Sequence, residues 1–337
     1  MGEIAYWLPL VWAALIGIAI VMYVLLDGFD LGIGLLFLSG ASEEERDHMM
    51  NAIAPYWDGN ETWLVLGGAG LLVAFPLAYG TILPALYIPI VVMLLALVFR
   101  GVAFEFRFVS KPHHHWWDRA FALGSTVATF AQGVVLGGFM QGITIQNREF
   151  AGGTFDWLTP FSLLCGAGLM AGYILLGSAW LMMKTDADLA RRSQRHAEWA
   201  LYATLFFVAA VSLWTPLMSG HIAERWFRGE HIVWLWPVPF LTAVTALVTY
   251  QGARKGSGLQ TFLGGMVLFL LCFLGLGISV FPYLVFPSIT LWQAAAVPES
   301  QIFSLIGALL FLPLVLGYTA FVYWTFRGKV TEGEGYH

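Results

Sequence analysis

Charge is scarce in this sequence. Of 337 residues only 11% are Asp, Glu, Lys or Arg, against roughly a quarter in an ordinary soluble domain. With 59% hydrophobic residues and a mean hydropathy of +0.75, that deficit excludes a soluble globular protein. No Lys or Arg precedes the first apolar run, which continues past signal-peptide length, so no cleavage is expected and the first helix stays. Cysteine is nearly absent: Cys165 and Cys272 both fall inside apolar runs, act as small hydrophobes and report nothing about redox compartment. Histidine is missing from every apolar run, since His48, His113, His114, His115, His196, His221, His231 and His337 are all expected in loops or at the terminus. A haem held in a membrane needs His, or His with Met, as axial ligand, so the sequence offers no haem ligand of its own. Met22, Met93, Met140 and Met218 fall at helical spacing and read as packing. The run His113–His115 lacks companion carboxylates or cysteines and reads as a solvated face, so no metal is expected. No Ser-His-Asp order, paired-cysteine site or phosphate cradle occurs, and no nucleic-acid partner is expected; Gly67, Gly68 and Gly70 sit inside an apolar span without strand-to-helix context.

What the sequence does contain is long apolar runs. A bilayer core about 30 Å thick needs about 20 apolar residues per helix. Nine runs qualify, near Trp7–Leu38, Thr62–Tyr79, Ile82–Phe104, Arg119–Thr144, Pro160–Met183, Ala197–Ser219, Ile232–Tyr250, Leu259–Phe281 and Ile302–Phe326. The fold class is therefore all-α integral membrane, one polytopic domain with a first bundle over about 7–144, a second over about 160–281 and a last helix over about 302–326. The second run is short, glycine-rich and followed by Pro76 and Pro84, so a re-entrant segment also fits it. With nine crossings, the odd-numbered loops and the C-terminus hold Arg46, Arg107, Lys111, Arg119, Lys184, Arg191, Arg192, Arg195, Arg254, Lys255, Arg327 and Lys329. The even-numbered loops hold only Arg148, Arg225 and Arg228, which places the N-terminus outside and the C-terminus in the cytoplasm. Trp116, Trp117, Trp226, Trp234, Trp236 and Trp324 fall near span ends, as interfacial anchors do, against membrane lipids as the surroundings.

Ionisable residues within spans are costly in hydrocarbon and usually face a cavity or a partner. Asp27 and Asp30 stand three apart in DGFDLGIG, on neighbouring positions of one helical face. Gly28, Gly32 and Gly34 let another backbone come close or let the helix bend. The stretch IAPYWDGNETW, Ile53 to Trp63, puts Asp58, Glu61, Tyr56, Trp57 and Trp63 where a bilayer boundary falls, and the third span ends with Arg100 and Glu105. The topology sets all these groups at one cytoplasmic depth. An Arg among carboxylates holds some of them ionised while desolvation favours the protonated form of others. Such a cluster can relay protons, or it can be an ion-pair network that closes the inner end of a bundle. The residues alone leave open a proton-coupled carrier and a supporting subunit of a respiratory complex.

The runs DGFDLGIG (Asp27 to Gly34), NAIAPYWDGNETWL (Asn51 to Leu64) and FRGVAFEFR (Phe99 to Arg107), with the closing FPYLVFPSITLW (Phe281 to Trp292), resemble subunit II of cytochrome bd-type quinol oxidases. The likeness spans the chain, with the first hundred residues most specific, and its compact length and short sixth loop are similar to the cyanide-insensitive oxidase branch. The resemblance implies a multi-pass subunit of the bacterial inner membrane, in a complex that oxidises quinol and reduces O2 to water without pumping protons. It implies haems b and d, or b only, in the partner subunit I, none bound here, with small single-helix accessory subunits and a structural quinone in some members. It maps the family's proton route or structural polar contacts onto Asp30, Asp58 and Arg100, with Asp27, Glu61, Glu105 and Trp57 behind them, and an oxygen path onto Trp63. One departure is Gln293, which follows Trp292 where the family often has an acid. The alternative to this reading is a stand-alone proton-coupled transporter using Asp27 and Asp30.

Overall fold

The computed structural model describes residues 2–110, 114–228 and 232–330; Lys111, His113, His231 and His337 from the readings above lie outside them. The described chain begins with α1 (Glu3–Leu36), a 3-10 turn (Phe37–Ser39), α2 (Glu43–Asn51), α3 (Trp57–Ala74), α4 (Pro76–Ala85), α5 (Tyr87–Val109) and α6 (His114–Gln141). A hairpin, β1 (Ile145–Gln146) with β2 (Glu149–Phe150), leads to α7 (Pro160–Lys184), α8 (Ala187–Met218), α9 (Gly220–Phe227), α10 (Ile232–Leu235), α11 (Pro237–Arg254) and α12 (Gly258–Val280). A second hairpin, β3 (Tyr283–Val285) with β4 (Ile289–Thr290), precedes α13 (Leu291–Ala294) and α14 (Pro298–Thr325).

Among the described residues, eight helical segments are long and apolar enough to cross a membrane: α1, α5, α6, α7, α8, α10 with α11, α12 and α14. The expected second span is not among them, because Asp58, Asn60 and Glu61 dilute the first turns of α3 and the chain breaks at Phe75, φ −138° and ψ 63°. Pro76 restricts the residue before it and is preorganised to start the next helix, which accounts for the break. Even so, α3 runs antiparallel along α1. Asn60 touches Leu26 and Asp30, Gly67 lies beside Ala19 and Ile20, and Gly70 lies beside Ile16 and Trp12.

Several segments expected as loops are helical. Ser42 caps α2 by accepting from the Glu45 amide, with Glu43, Glu44 and Glu45 in the first turn where the helix dipole favours acids. α8 starts ten residues before the expected Ala197, so Arg191, Arg192, Arg195 and His196 ride on it. The described histidines are accordingly helical rather than in loops: His48 on α2, His114 and His115 on α6, His196 on α8 and His221 on α9. Gln293 has its own role, completing a capping box in which Thr290 N donates to Gln293 Oε1 at 2.9 Å and Gln293 N donates to Thr290 Oγ1. A glutamine serves that box as well as an acid does.

α1 is the hub, packing on α3, α6 and α7, with α5 against α6, α8 and α12 against α7, and α11 against α12 and α8. The closest approach is between Gly32 and Gly177: a Cβ added at Gly32 would lie 1.9 Å from Tyr173 O, and one at Gly177 would lie 2.6 Å from Gly32 C. Small residues that admit a neighbouring backbone are how membrane helices gain contact without a hydrophobic driving force. Gly32→Ala therefore forces the α1 and α7 backbones apart and is expected to cost about 3 kcal/mol, the upper end for overpacking. Gly68→Ala, with nothing within 4 Å of the new methyl group, is expected to be neutral. The thermal midpoint of the purified protein checks both, and equal midpoints for the two variants contradict the packing account.

Candidate functional site

The most deeply buried charges lie where α1, α3 and α5 meet. α5 turns Arg100 inward, 2% exposed, and its Nη1 donates to Asp27 Oδ1 at 2.7 Å. Its Nη2 reaches Glu61 Oε2 on α3 at 3.4 Å, and the guanidinium lies 5.9 Å from the centroid of the Trp57 ring. Asp27 is fully buried, and Glu61 keeps 29% of its side chain exposed, so the triad runs from a half-open mouth to a closed interior. Tyr23, one turn before Asp27 on α1, faces the same carboxylate.

Asp30 is held differently. Its Oδ2 accepts from Asn60 Nδ2 at 2.7 Å, while its Oδ1 is buried without a hydrogen-bond partner among the described residues. Asn60 also donates to Leu26 O at 3.3 Å and accepts at Oδ1 from Tyr323 Oη of α14 at 3.0 Å. A carboxylate with one oxygen committed and the other free can take a proton without rearranging its partners.

The structure thus brings together Asp27, Asp30, Glu61, Arg100 and Trp57, as their common depth predicts. It does not bring Asp58 or Glu105 into contact with them: both side chains are exposed, Asp58 in the first turn of α3 beside Glu61 and Glu105 on the outer face of α5. Trp63 is 1% exposed, packed with Ala19, Tyr23 and Leu26, and its Nε1 has no partner among the described residues. Sequence reasoning missed Asn60 and Tyr323. Asn60 lies inside the singled-out stretch, and a helical amide three residues before a buried Trp was the available signal; Tyr323 gave none.

Two further polar groups lock the same end of the molecule. Arg107 binds Asp118 Oδ1 at 2.6 Å and Asp47 at 2.5 Å, Arg46 binds Asp118 Oδ2 at 3.1 Å, and Arg192 of α8 pairs with Glu45. α2 is thereby strapped across the ends of α5, α6 and α8. Lys184, at the end of α7, donates to Tyr56 Oη at 3.1 Å, to Gly328 O at 3.0 Å and to Phe326 O, and lies over the rings of Tyr56 and Trp180. Burial pushes the Tyr56 phenol up to about 12, with the Asp30 carboxylate adding to it, so this hydroxyl stays protonated and donates to Phe326 O at 2.6 Å.

Among the described residues no three His, Cys, Asp or Glu side chains gather as a metal site. Of the described histidines, His48, His114 and His196 are half-buried on helix ends or faces, His115 and His221 are exposed, and His114 is paired with Glu43.

The family model described as cytochrome bd terminal oxidase subunit II matches residues 8–326. The chain belongs to that family. It is 29% identical to cytochrome bd-I ubiquinol oxidase subunit 2 of Escherichia coli (strain K12), over 97% of this chain and 96% of that one. It is 31% identical to cytochrome bd ubiquinol oxidase subunit 2 of Bacillus subtilis (strain 168), over 96% and 97%. The bd oxidase structure from Geobacillus thermodenitrificans shares the fold at a TM-score of 0.74 and 16% identity, covering 96% of this chain and 99% of that one. Nothing in these comparisons points to a stand-alone transporter.

Removing one member of a buried ion pair leaves the other charge uncompensated, which costs about 3–5 kcal/mol. Arg100→Ala is expected to lower the denaturation midpoint of the purified complex accordingly. The apolar double variant Asp27→Leu/Arg100→Met is expected to recover most of that loss, and a double variant no more stable than Arg100→Ala contradicts the ion-pair account.

Proposed function

We propose that this chain is the haem-free subunit II of a bd-type terminal oxidase in the bacterial inner membrane, paired with a haem-bearing subunit I in a complex that oxidises quinol and reduces O2 to water. The subunit family and the names of the relatives, two of them subunits of ubiquinol oxidases, support this reading. In it the chain crosses the membrane nine times, α3 with α4 forming the second passage, with the N-terminus outside and the C-terminus cytoplasmic. The chain divides into bundles over about 7–144 and 160–281 and a last helix over about 302–326. The distribution of Lys and Arg supports the orientation.

Oxygen reduction consumes protons, and in this orientation the buried carboxylates lie toward the cytoplasm. Asp58 and Glu61 form the mouth of a proton path. Arg100 is bonded to Asp27 at its inner end, and Asp30 takes the proton on its free oxygen. Glu105 and Trp57 flank the mouth, and Trp63 lines an apolar oxygen path beside α1. The observation that carries this reading is Asp30, 1% exposed, with one carboxylate oxygen bonded and the other free. Haems b and d, or b alone, belong to the partner in this reading; a structural quinone, single-helix accessory subunits and bound membrane lipids complete the complex.

Asp30→Asn is expected to slow quinol-driven oxygen consumption by about tenfold or more, since lost proton transfer costs about 10²–10⁴ in rate where it limits turnover. Asp58→Asn, at the solvated mouth, is expected to cost less. Oxygen uptake and the visible haem spectrum of the purified complex check both, and wild-type turnover with a normal spectrum in both variants removes the proton path. A lost haem spectrum with loss of stability assigns the cluster to bracing instead.

A further inference from the structure

α14 is weakly seated for a helix of its length. Among its described residues only Gln301 is buried, and it is fastened mainly at its two ends. At one end Trp12 Nε1 donates to Gln301 O, and Gln301 Nε2 donates to Ala74 O and Ala296 O. At the other end Lys184 and Tyr56 grip Phe326 O, one turn beyond Tyr323. That grip presents the Tyr323 hydroxyl to Asn60, and the ring is held by Tyr56 at 4.6 Å, Trp180 at 6.1 Å and Phe29 at 6.5 Å between centroids.

The amide of Asn60 has a donor and an acceptor side, and its neighbours permit one orientation. Asp30 Oδ2 and Leu26 O are both acceptors, so they require the NH2 group. The phenol hydroxyl then donates to Oδ1. Asn60 is 2% exposed, so water does not compete for either side. The charged and titratable groups facing Asp30 are Asp27 from its own helix, Glu61 from α3, Arg100 from α5, Tyr56 ahead of α3 and Tyr323 from α14. Of these only Tyr323 reaches Asp30 through a second side chain that has no charge of its own.

We propose that Asn60 and Tyr323 are positioning residues for proton transfer: the Tyr323–Asn60 hydrogen bond fixes the amide so that Asp30 Oδ2 stays committed and Oδ1 alone is presented to the incoming proton. The last helix is thereby part of the proton-handling site. This inference rests on the reading of Asp30 as a proton carrier. Without the phenol hydroxyl the amide oxygen is unpaired, and once Asp30 is protonated at Oδ2 the amide can turn that oxygen toward the carboxyl and accept from it, so the proton is no longer confined to Oδ1.

The test uses the whole purified complex, with oxygen consumption measured per haem across pH, KM for quinol, and the solvent deuterium isotope effect. Tyr323→Phe keeps the ring and removes the hydroxyl. It is expected to lower kcat by about 5–10-fold, the size of one neutral hydrogen bond, with KM unchanged, a displaced pH profile and a larger isotope effect. Asn60→Leu is expected to approach Asp30→Asn in severity, and Tyr323→Phe is expected to add nothing in an Asp30→Asn background, because both act through one carboxylate. Wild-type turnover and pH profile in Tyr323→Phe, alongside a slow Asp30→Asn, overturn the positioning role and leave the Asp30 reading standing. Wild-type turnover in Asp30→Asn overturns that reading itself. Additive losses, activity that falls only with haem content, or failure of both Tyr323→Phe and Asn60→Leu to assemble make the contact a brace and overturn the proposal.

Discussion

A guanidinium cannot shed its charge, so a buried one must be surrounded by partners or left outside. Arg100 is 2% exposed, and the fold at the basic end is arranged around that requirement. Asp27 must lie within 2.7 Å on α1, and Glu61 must come within reach from α3. Those demands fix how far α5 slides along α1 and where α3 starts. The desolvation cost of such a group exceeds what an isolated pair returns, which makes the cluster a poor device for stability alone and a good one for enforcing register.

The register then spreads outward. α1 can bring Asp27 to α5 while touching α7 because Gly32 and Gly177 let the two backbones approach. α2, an acidic helix capped by Ser42, is tied to α5, α6 and α8 by pairs that involve Arg107, Arg46 and Arg192. Lys184 has no carboxylate among its bonded partners and instead sits on the carbonyl oxygens that end α14, where the helix dipole supplies the negative charge. Each tie joins elements distant in sequence, and each lies at the end that holds most of the Lys and Arg residues.

The sequence made some of this legible. Intramembrane Asp27 and Arg100 stood out because charges in apolar runs are rare, and a count of basic residues set them at one depth. The glycines of DGFDLGIG signalled a close approach. Tyr323, and its pairing with Asn60, was illegible for a physical reason: neither residue is charged, and their meeting depends on how α14 is fastened rather than on any local pattern. The exposure of Asp58 was equally hidden, since spacing places it in the first turn of a helix but cannot say which way that turn faces. α2 and the early start of α8 were missed because their polar residues carry no apolar period; Ser42 caps α2, and Arg192 of α8 pairs with Glu45 of α2. Pro76 and Pro84 announce trouble in the second span, and there the chain forms two helices in sequence, α3 and α4, with a break at Phe75.

The hydrogen bond between Tyr323 and Asn60 joins residues 263 positions apart. At a synthesis rate of about 5–20 residues per second, roughly 15–50 s separate the appearance of the two side chains on the ribosome. Throughout that interval the early helices carry Asp30 with an amide whose oxygen lacks its phenol partner. The carboxylate site is therefore finished last, by a helix whose arrival reports that every other helix has already been made.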